Sequence, residues 1–398
     1  MKKAGLLLLC GALVFSACQK DPVPSKDATL DGVTVDVSGI TTSAQKIFVL
    51  NEGGMGSNNS TLDFLRFEDG KYITSAFKKM NPDVGAGLGD VGNDIAVNGD
   101  EVWMVINNSG IVEVVSAKDE IEIATVTVPT PRNIAFDNKY AYVTSWAGAY
   151  ANYGADYSIT DYSNPKGQVY RINLSTKKVD GTVDVGDQPE GIAVYNGKLY
   201  VANSGGISSQ LPPLYAYDNT VSVIDTKSFA VTRTVKVEVN LKNVYADGKG
   251  HIFVTTLGNY FDVHSGLYVF PADAPDQVTL VTRDFLKHTH VSCSFALGDE
   301  VYCIGTENEF AFNEKHVYIL WSYNAVKDKV SLYLVDLGGV PYGMGVVEDD
   351  MGLRTLLVGD AGDYFNPGTV TCYRLYDLQD KVWSVTAGVC PGHFAVWK

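Results

Sequence analysis

The chain has 398 residues, of which 45% are hydrophobic and 11% aromatic, and its formal net charge is −15. This apolar fraction excludes a disordered protein, and the length allows a large buried core. The acidic surface argues against partners such as nucleic acid and anionic lipid, because their negative charges would be repelled.

The first predicted element is a signal peptide over residues 1–17. Lys2 and Lys3 precede an apolar run, residues 4–15, which is too short to span a bilayer. The stretch "LVFSACQ" that follows resembles a bacterial lipobox, which implies that Cys18 is acylated and becomes the first residue of the mature chain. A lipid on Cys18 would anchor the protein to a membrane without a spanning helix.

Residues 18–39 are predicted to form a lipidated tether. They contain "QKDPVPSKD", which is polar and proline-rich and is typical of a linker. Lys and Asp close behind the cysteine resemble the export signal of surface lipoproteins in gut Bacteroidota, which implies an outer-membrane protein facing the extracellular side. Cleavage after residue 17 removes two lysines and no acidic residue, so the net charge becomes −17.

The rest of the chain contains a repeat. Its clearest copy begins "PEGIAVYNGKLYVANSGG" at Pro189 and continues, after a loop, as "NTVSVIDTKSFAVTRTVKV" from Asn219. Alternating Val, Ile and Tyr around the Asn196-Gly197 turn predicts one β-hairpin, and the second segment predicts another. The pattern "KLYVANSGG…NTVSVID" resembles the YVTN-type repeat of β-propellers, which implies a ring of four-stranded antiparallel blades.

Two strands of this repeat recur seven times each. The predicted inner strands are "NDIAV" from Asn93, "RNIAF" from Arg132, "EGIAV" from Glu190, "KNVYA" from Lys242, "CSFAL" from Cys293, "YGMGVV" from Tyr342 and "GHFAVW" from Gly392. The predicted second strands are "KIFVLN" from Lys46, "EVWMVIN" from Glu101, "YAYVTS" from Tyr140, "KLYVAN" from Lys198, "HIFVTT" from His251, "EVYCIG" from Glu300 and "RTLLVG" from Arg354.

The two ends of the chain each supply a strand that the other end lacks. "KIFVLN" has no inner strand before it, and "GHFAVW" has no second strand after it. We therefore predict that the C-terminal strand closes the ring, so that no large sheet edge stays open. The predicted fold is an all-β, seven-bladed β-propeller over residues 40–398, with no second domain.

The long insertions indicate where a ligand would bind. Strand alternation places the loops after the second strands and the interblade connections on one face, and rigid scaffolds usually carry function on such loops. Aromatic rings among polar residues suit a large, partly flat ligand, although the rings could instead pack their own loops. The candidate ligand-binding residues from the loops and connections are Trp146, Tyr150, Tyr153, Asn203, Tyr215, Tyr217, Tyr260, Phe261, His290, Tyr364 and Phe365.

Polar residues at the entry of the inner strands should surround the mouth of the central channel on that face, where they could orient a ligand or simply line a hydrated channel. The residues expected there are Asn93, Asp94, Arg132, Asn133, Glu190, Lys242, Asn243, Ser292, Tyr342 and His393. Five of them, Arg132, Asn133, Glu190, Tyr342 and His393, join the candidate ligand-binding residues.

Metal and cofactor motifs are weak. Four cysteines remain in the propeller, and none of their spacings is typical of zinc. Cys293 and Cys303 could form a disulfide or stay as buried thiols. We expect no resident cofactor or metal, although Asp and Asn in the long loops could bind Ca²⁺ without an EF-hand-like spacing.

Taken together, these features resemble the BtuG family of cobalamin-capturing surface lipoproteins of gut Bacteroidota. The resemblance implies a non-enzymatic protein that binds cobalamin (vitamin B12) and passes it to a TonB-dependent outer-membrane transporter. It is a resemblance of architecture and repeat class, so it assigns no ligand-contact residue.

Two other functions stay open. A propeller lyase or lactonase would need a metal or a His/Glu group at the channel mouth, for which His290, His393 and Glu190 are the candidates. A protein or glycan interaction module would use the same loop face, especially the loop from Ser145 to Gly167.

Overall fold

The computed structural model describes residues 30–38, 40, 42–85, 87–147, 166–207, 215–281, 291–306, 316–333, 337–375 and 377–398. The predicted signal peptide, Cys18 and the first part of the tether lie outside these residues. Within them, no helix has the length and hydropathy needed to cross a membrane.

Nearly all regular structure is β-strand. The single helix in the described residues, α1, is short (Ala76–Met80). In chain order the strands are β1 (Val33–Thr34), β2 (Lys46–Asn51), β3 (Thr61–Arg66), β4 (Lys71–Ile73), β5 (Gly92–Asn98), β6 (Glu101–Ile106), β7 (Ile111–Ser116), β8 (Glu122–Thr127), β9 (Pro131–Phe136), β10 (Tyr140–Ser145), β11 (Gln168–Asn173), β12 (Lys178–Asp184), β13 (Pro189–Tyr195), β14 (Lys198–Asn203), β15 (Gly205–Ile207), β16 (Tyr215–Tyr217), β17 (Thr220–Asp225), β18 (Ala230–Lys236), β19 (Leu241–Ala246), β20 (His251–Thr256), β21 (Gly266–Pro271), β22 (Thr279–Leu280), β23 (Cys293–Leu297), β24 (Glu300–Thr306), β25 (Tyr318–Asn324), β26 (Lys329–Tyr333), β27 (Pro341–Glu348), β28 (Arg354–Asp360), β29 (Thr369–Arg374), β30 (Asp377–Thr386) and β31 (Pro391–Trp397).

These strands form seven antiparallel blades arranged in a ring, which confirms the predicted seven-bladed β-propeller. From the inner strand outwards, blade 1 is β5 to β8, blade 2 is β9 to β12, blade 3 is β13, β14, β17 and β18, blade 4 is β19 to β22, blade 5 is β23 to β26, blade 6 is β27 to β30, and blade 7 is β31, β2, β3 and β4. Strands β15 and β16 form a separate hairpin in the loop of blade 3.

The C-terminal strand closes the ring as predicted. Strand β31 pairs with β2 from Lys46↔Trp397 to Leu50↔His393. Within the segment assigned to the tether, β1 adds a fifth strand to the outer edge of blade 7 through its pairing with β4. Blade 7 is therefore assembled from both ends of the described chain.

Hydrophobic side chains hold neighbouring blades together. Each blade is covered on both faces, so its second strand is largely buried, as in β2, where all six residues are buried. Seven apolar clusters fill the seven interfaces; one example joins Trp103 of blade 1 to Val143 of blade 2. This packing fixes the position of every inner strand around the channel.

The Asn196-Gly197 turn on the opposite face has the backbone conformation that its sequence predicts. Asn196 and Gly197 both have positive φ, 47° and 71°, between β13 and β14. This is the backbone that a two-residue hairpin turn requires and that Asn-Gly readily adopts.

Candidate functional site at the channel mouth

β-Bulges in the inner strands present side chains to the channel mouth. The pairing register shifts near the start of β5, β9, β13, β19, β27 and β31, where each inner strand carries one more residue than its partner opposes. A bulge bends the strand and re-aims a side chain. Because the bulge recurs at the same place, residues from successive blades converge. The first residue of each bulge is Asn93 in blade 1, Arg132 in blade 2, Glu190 in blade 3, Lys242 in blade 4, Tyr342 in blade 6 and Gly392 in blade 7.

Three of these bulge residues form a charged cluster, which we call the cation cluster (Arg132, Glu190 and Lys242). Arg132 donates from Nε to Glu190 Oε1 at 3.0 Å and from Nη2 to Oε2 at 3.1 Å. Lys242 Nζ donates to the same Oε2 at 3.1 Å. Burial alone would raise the pKa of Glu190, but the two cations outweigh it and hold that pKa below its usual value. Glu190 is therefore ionised, and the cluster carries one excess positive charge.

A pocket of about 400 Å³ opens above the cation cluster, between blades 2, 3 and 4. The Arg132 guanidinium lies 4.5 Å from the centre of the Trp146 ring, in a cation–π contact. Trp146 is almost buried, whereas Tyr260 is half exposed. The pocket thus has a cationic floor and aromatic walls. Its lining residues are Arg132, Trp146, Gln188, Glu190, Ser204, Gly205, Tyr217, Asn240, Leu241, Lys242, Leu257 and Tyr260.

A second group at the mouth, the Glu52 cluster (Glu52, Tyr342 and His393), is built differently. Tyr342 donates its hydroxyl to Glu52 Oε2 at 2.6 Å, and His393 Nε2 lies 2.9 Å from Oε1. Burial would raise the pKa of Glu52, but the hydrogen bonds from His393 and Tyr342 and the nearby charges lower it overall. The carboxylate of this cluster is thus ionised and enclosed by its own partners.

Glu52 is a residue that the sequence analysis missed. It follows β2 and does not belong to an inner strand. A Cβ added at Gly392 would lie 3.1 Å from Glu52 Oε1 and 3.2 Å from the Tyr342 ring. The glycine therefore leaves room for the Glu52 carboxylate at the bulge position of blade 7. A glycine at that position, where other blades carry a side chain, was the available signal.

Hydrogen bonds tie neighbouring blades together around the mouth. Asn93 donates its side-chain amide to the Arg132 carbonyl at 2.7 Å, and Asp94 accepts the Ile134 N–H at 2.9 Å. Burial raises the pKa of Asp94 despite those hydrogen bonds and the nearby His393. Thr144 Oγ1 accepts the Asn133 backbone N–H within blade 2 at 2.9 Å and donates to the Glu190 carbonyl of blade 3 at 2.7 Å. These groups hold the inner strands in place and do not line the pocket.

Five predicted ligand-binding residues line the pocket: Arg132, Trp146, Glu190, Tyr217 and Tyr260. Tyr342 and His393 belong to the Glu52 cluster, and the Tyr364 ring packs edge-on to Tyr342 at 5.8 Å. Asn203 is buried and binds Thr220, Ser222 and the Gly186 N–H, which anchors its own blade. Phe261 and Phe365 are 83% and 85% exposed and do not line the pocket. Tyr150, Tyr153, His290 and the Tyr215 side chain lie outside what the structure describes.

The four propeller cysteines are free thiols. Cys293 pairs with Ile304, and Cys303 pairs with Ser294, so the two cysteines point to opposite faces of the blade. Burial raises the pKa of Cys293 to about 12. The buried-thiol alternative is therefore the one that the structure contains. Among the described residues, no group of three or more His, Cys, Asp or Glu side chains could hold a metal ion.

Comparisons with known proteins give the fold alone. No protein-family model matches the chain, and no curated protein matches it. Among solved structures, hydrazine synthase from Kuenenia stuttgartiensis is similar, with a TM-score of 0.56 and 16% sequence identity. The match covers 76% of this chain and 88% of that chain. This likeness supports a β-propeller.

Proposed function

We propose that the protein is a cell-surface lipoprotein that captures cobalamin and passes it to a TonB-dependent outer-membrane transporter. The observation that carries the binding part is the pocket between blades 2, 3 and 4, with Trp146 and Tyr260 above the cation cluster. Concave sites with aromatic walls and a few polar groups are the usual small-molecule sites of proteins.

The chemistry of a corrinoid suits this face of the ring. A corrinoid is broad, with a hydrophobic rim and many amide groups, and it carries a phosphodiester in its nucleotide loop. A pocket of about 400 Å³ takes one part of such a ligand, and the rest would lie over the open loop face. There the exposed rings of Phe261 and Phe365 offer contact area.

The proposed location is supported by two sequence features, a lipobox-like stretch and the polar segment behind it. "LVFSACQ" supports lipidation of Cys18, and the polar, proline-rich stretch behind it supports a tether between lipid and propeller. A tethered binding domain would hold its ligand close to a transporter in the same membrane. The partners of this proposal are therefore cobalamin, the membrane through the lipid, and the transporter.

Binding is favoured over catalysis by the state of Glu190. A general base must be able to accept a proton, yet this carboxylate is held by Arg132 and Lys242 and its pKa is lowered. Of the two enzyme candidates that the structure describes, His393 is the better acid–base group, since Glu52 orients its ring. Within the described residues, the enzyme alternative therefore depends on the Glu52 cluster rather than on the pocket, and His290 stays a prediction.

The test is calorimetric titration of the purified full-length protein with cyanocobalamin, with and without Ca²⁺. The proposal predicts one-to-one binding, lost or strongly weakened in Trp146→Ala and unchanged in Lys198→Met, which alters the opposite face. Absence of binding in both buffers contradicts the proposal. Binding only in the presence of Ca²⁺ would add a metal to the site.

A further inference from the structure

The cation cluster contains one more positive charge than its carboxylate needs. Arg132 already contacts both oxygens of Glu190, and the side chains of these two residues are only 8% and 5% exposed. A bidentate Arg–carboxylate pair is complete as a structural unit. Lys242 adds a second cation to this satisfied pair.

Lys242 faces the pocket with hydrogen-bonding capacity to spare. An ammonium group has three N–H donors, and within the described part of the chain one of them has an acceptor, Glu190 Oε2. The Lys242 side chain is 35% exposed, and Lys242 is a lining residue of the pocket. A concave site with low-dielectric walls strengthens the attraction of such a charge for an anion.

The walls around Lys242 limit what that anion can be. Trp146, Tyr217 and Tyr260 supply aromatic surface, while Leu241 and Leu257 supply aliphatic surface. Glu190 is the pocket's acidic lining residue, and its charge is already compensated. A small hydrated ion would contact the ammonium group alone, whereas an oxyanion attached to a flat ring system would contact both the ammonium group and the aromatic lining.

We infer that Lys242, supported by the Arg132–Glu190 pair, is an oxyanion-binding subsite for a carboxylate or phosphate ester carried on a planar ligand. The inference deepens the proposed function and rests on it for the identity of the ligand-binding pocket. In cobalamin the matching group is the phosphodiester of the nucleotide loop.

The first experiment uses ligand-observed NMR with the full-length protein and three probes: phenyl phosphate, benzoate and benzyl alcohol. We expect line broadening of one or both anions, weaker binding of the alcohol, and loss of anion binding by about tenfold or more in Lys242→Met, since a hydrogen bond to a charged group is worth about 1.5–3 kcal/mol. Lys242→Arg should restore binding, and Lys198→Met should leave it unchanged. The anion that binds better separates the phosphate and carboxylate sources.

No anion binding by the wild-type protein, or equal binding by Lys242→Met, overturns the inference. A second titration separates this failure from that of the proposed function, by comparing cyanocobalamin with dicyanocobinamide, which lacks the phosphodiester. If Lys242→Met weakens only cyanocobalamin, both proposals stand. If it affects both ligands equally or neither, capture stands and the subsite is wrong. If neither corrinoid binds while phenyl phosphate does, capture is wrong and the subsite stands.

Discussion

The two clusters at the channel mouth each hold a buried carboxylate but satisfy it in different ways. Glu52 is enclosed by His393 and Tyr342, so its partners are complete within the protein. Glu190 is paired with Arg132 and again with Lys242, so the Lys242 ammonium, whose charge also acts on Glu52, has N–H donors to spare and faces a pocket. A surplus of donors, rather than the presence of charged residues, distinguishes a candidate binding site from a structural network.

Removing the two carboxylates in turn should lower the free energy of unfolding by different amounts. Glu190→Gln should lower the free energy of unfolding by about 3–5 kcal/mol, because it removes the buried carboxylate that pairs with Arg132 through both oxygens. The matched variant Glu52→Gln should cost about 1–2 kcal/mol, because an amide still offers Tyr342 and His393 a hydrogen-bond partner. Urea unfolding measures both values. Equal costs would show that the clusters do not differ in this way.

The pH dependence of stability follows from the same pair. The folded pKa of Glu190 lies below the unfolded value of 4.5, so its contribution is present above about pH 4.5 and is lost as the pH falls through the folded pKa. The wild-type protein should lose stability on this acid limb more steeply than Glu190→Gln does. Asp94 has the opposite sign, because its raised pKa makes ionisation above pH 3.8 unfavourable for the fold. An unchanged acid limb in Glu190→Gln would contradict the account.

The Lys242→Met variant should lose ligand binding while keeping nearly the stability of the wild-type protein. Lys242 is the partly exposed member of its cluster, and such ion pairs contribute about 0–1 kcal/mol. Its free energy of unfolding in urea should therefore stay within about 1 kcal/mol of wild type. A loss as large as that of Glu190→Gln would make Lys242 a structural residue.

Alanine substitutions of the rings above each cluster should have the smallest effects. Tyr260 is half exposed over the cation cluster, and Tyr364 packs on Tyr342 beside the Glu52 cluster. Tyr260→Ala should cost less stability than Glu190→Gln while weakening cyanocobalamin binding several-fold in calorimetry. Tyr364→Ala should have less effect on binding. The reverse order would place the ligand over the other cluster.

The fold could be predicted because its signals are local and repeated. Alternating apolar residues, Asn-Gly turns and the unmatched strands at Lys46 and Gly392 were sufficient for seven blades and their closure. The free thiols could not be predicted, because only the pairing of Ser294 with Cys303 shows that the two cysteines face apart.

The site was predicted only in part. Strand alternation brought Arg132, Trp146 and Glu190 to one face, but the bulges that turn successive residues toward each other have no single-residue signature. Lys242 was expected at the mouth, where it could orient a ligand, but it was not among the candidate ligand-binding residues, since its pairing with Glu190 depends on the spacing of blades 3 and 4. Glu52 was missed because it reaches the mouth from a neighbouring strand, through the space left at Gly392.

A calorimetric titration of the wild-type and Lys242→Met proteins with cyanocobalamin, under identical salt conditions, shows whether the spare charge at Lys242 binds the ligand. We expect one-to-one binding by the wild-type protein and a Kd raised by about tenfold or more in the variant. Absence of binding by the wild-type protein, or the same Kd in both proteins, would contradict this expectation.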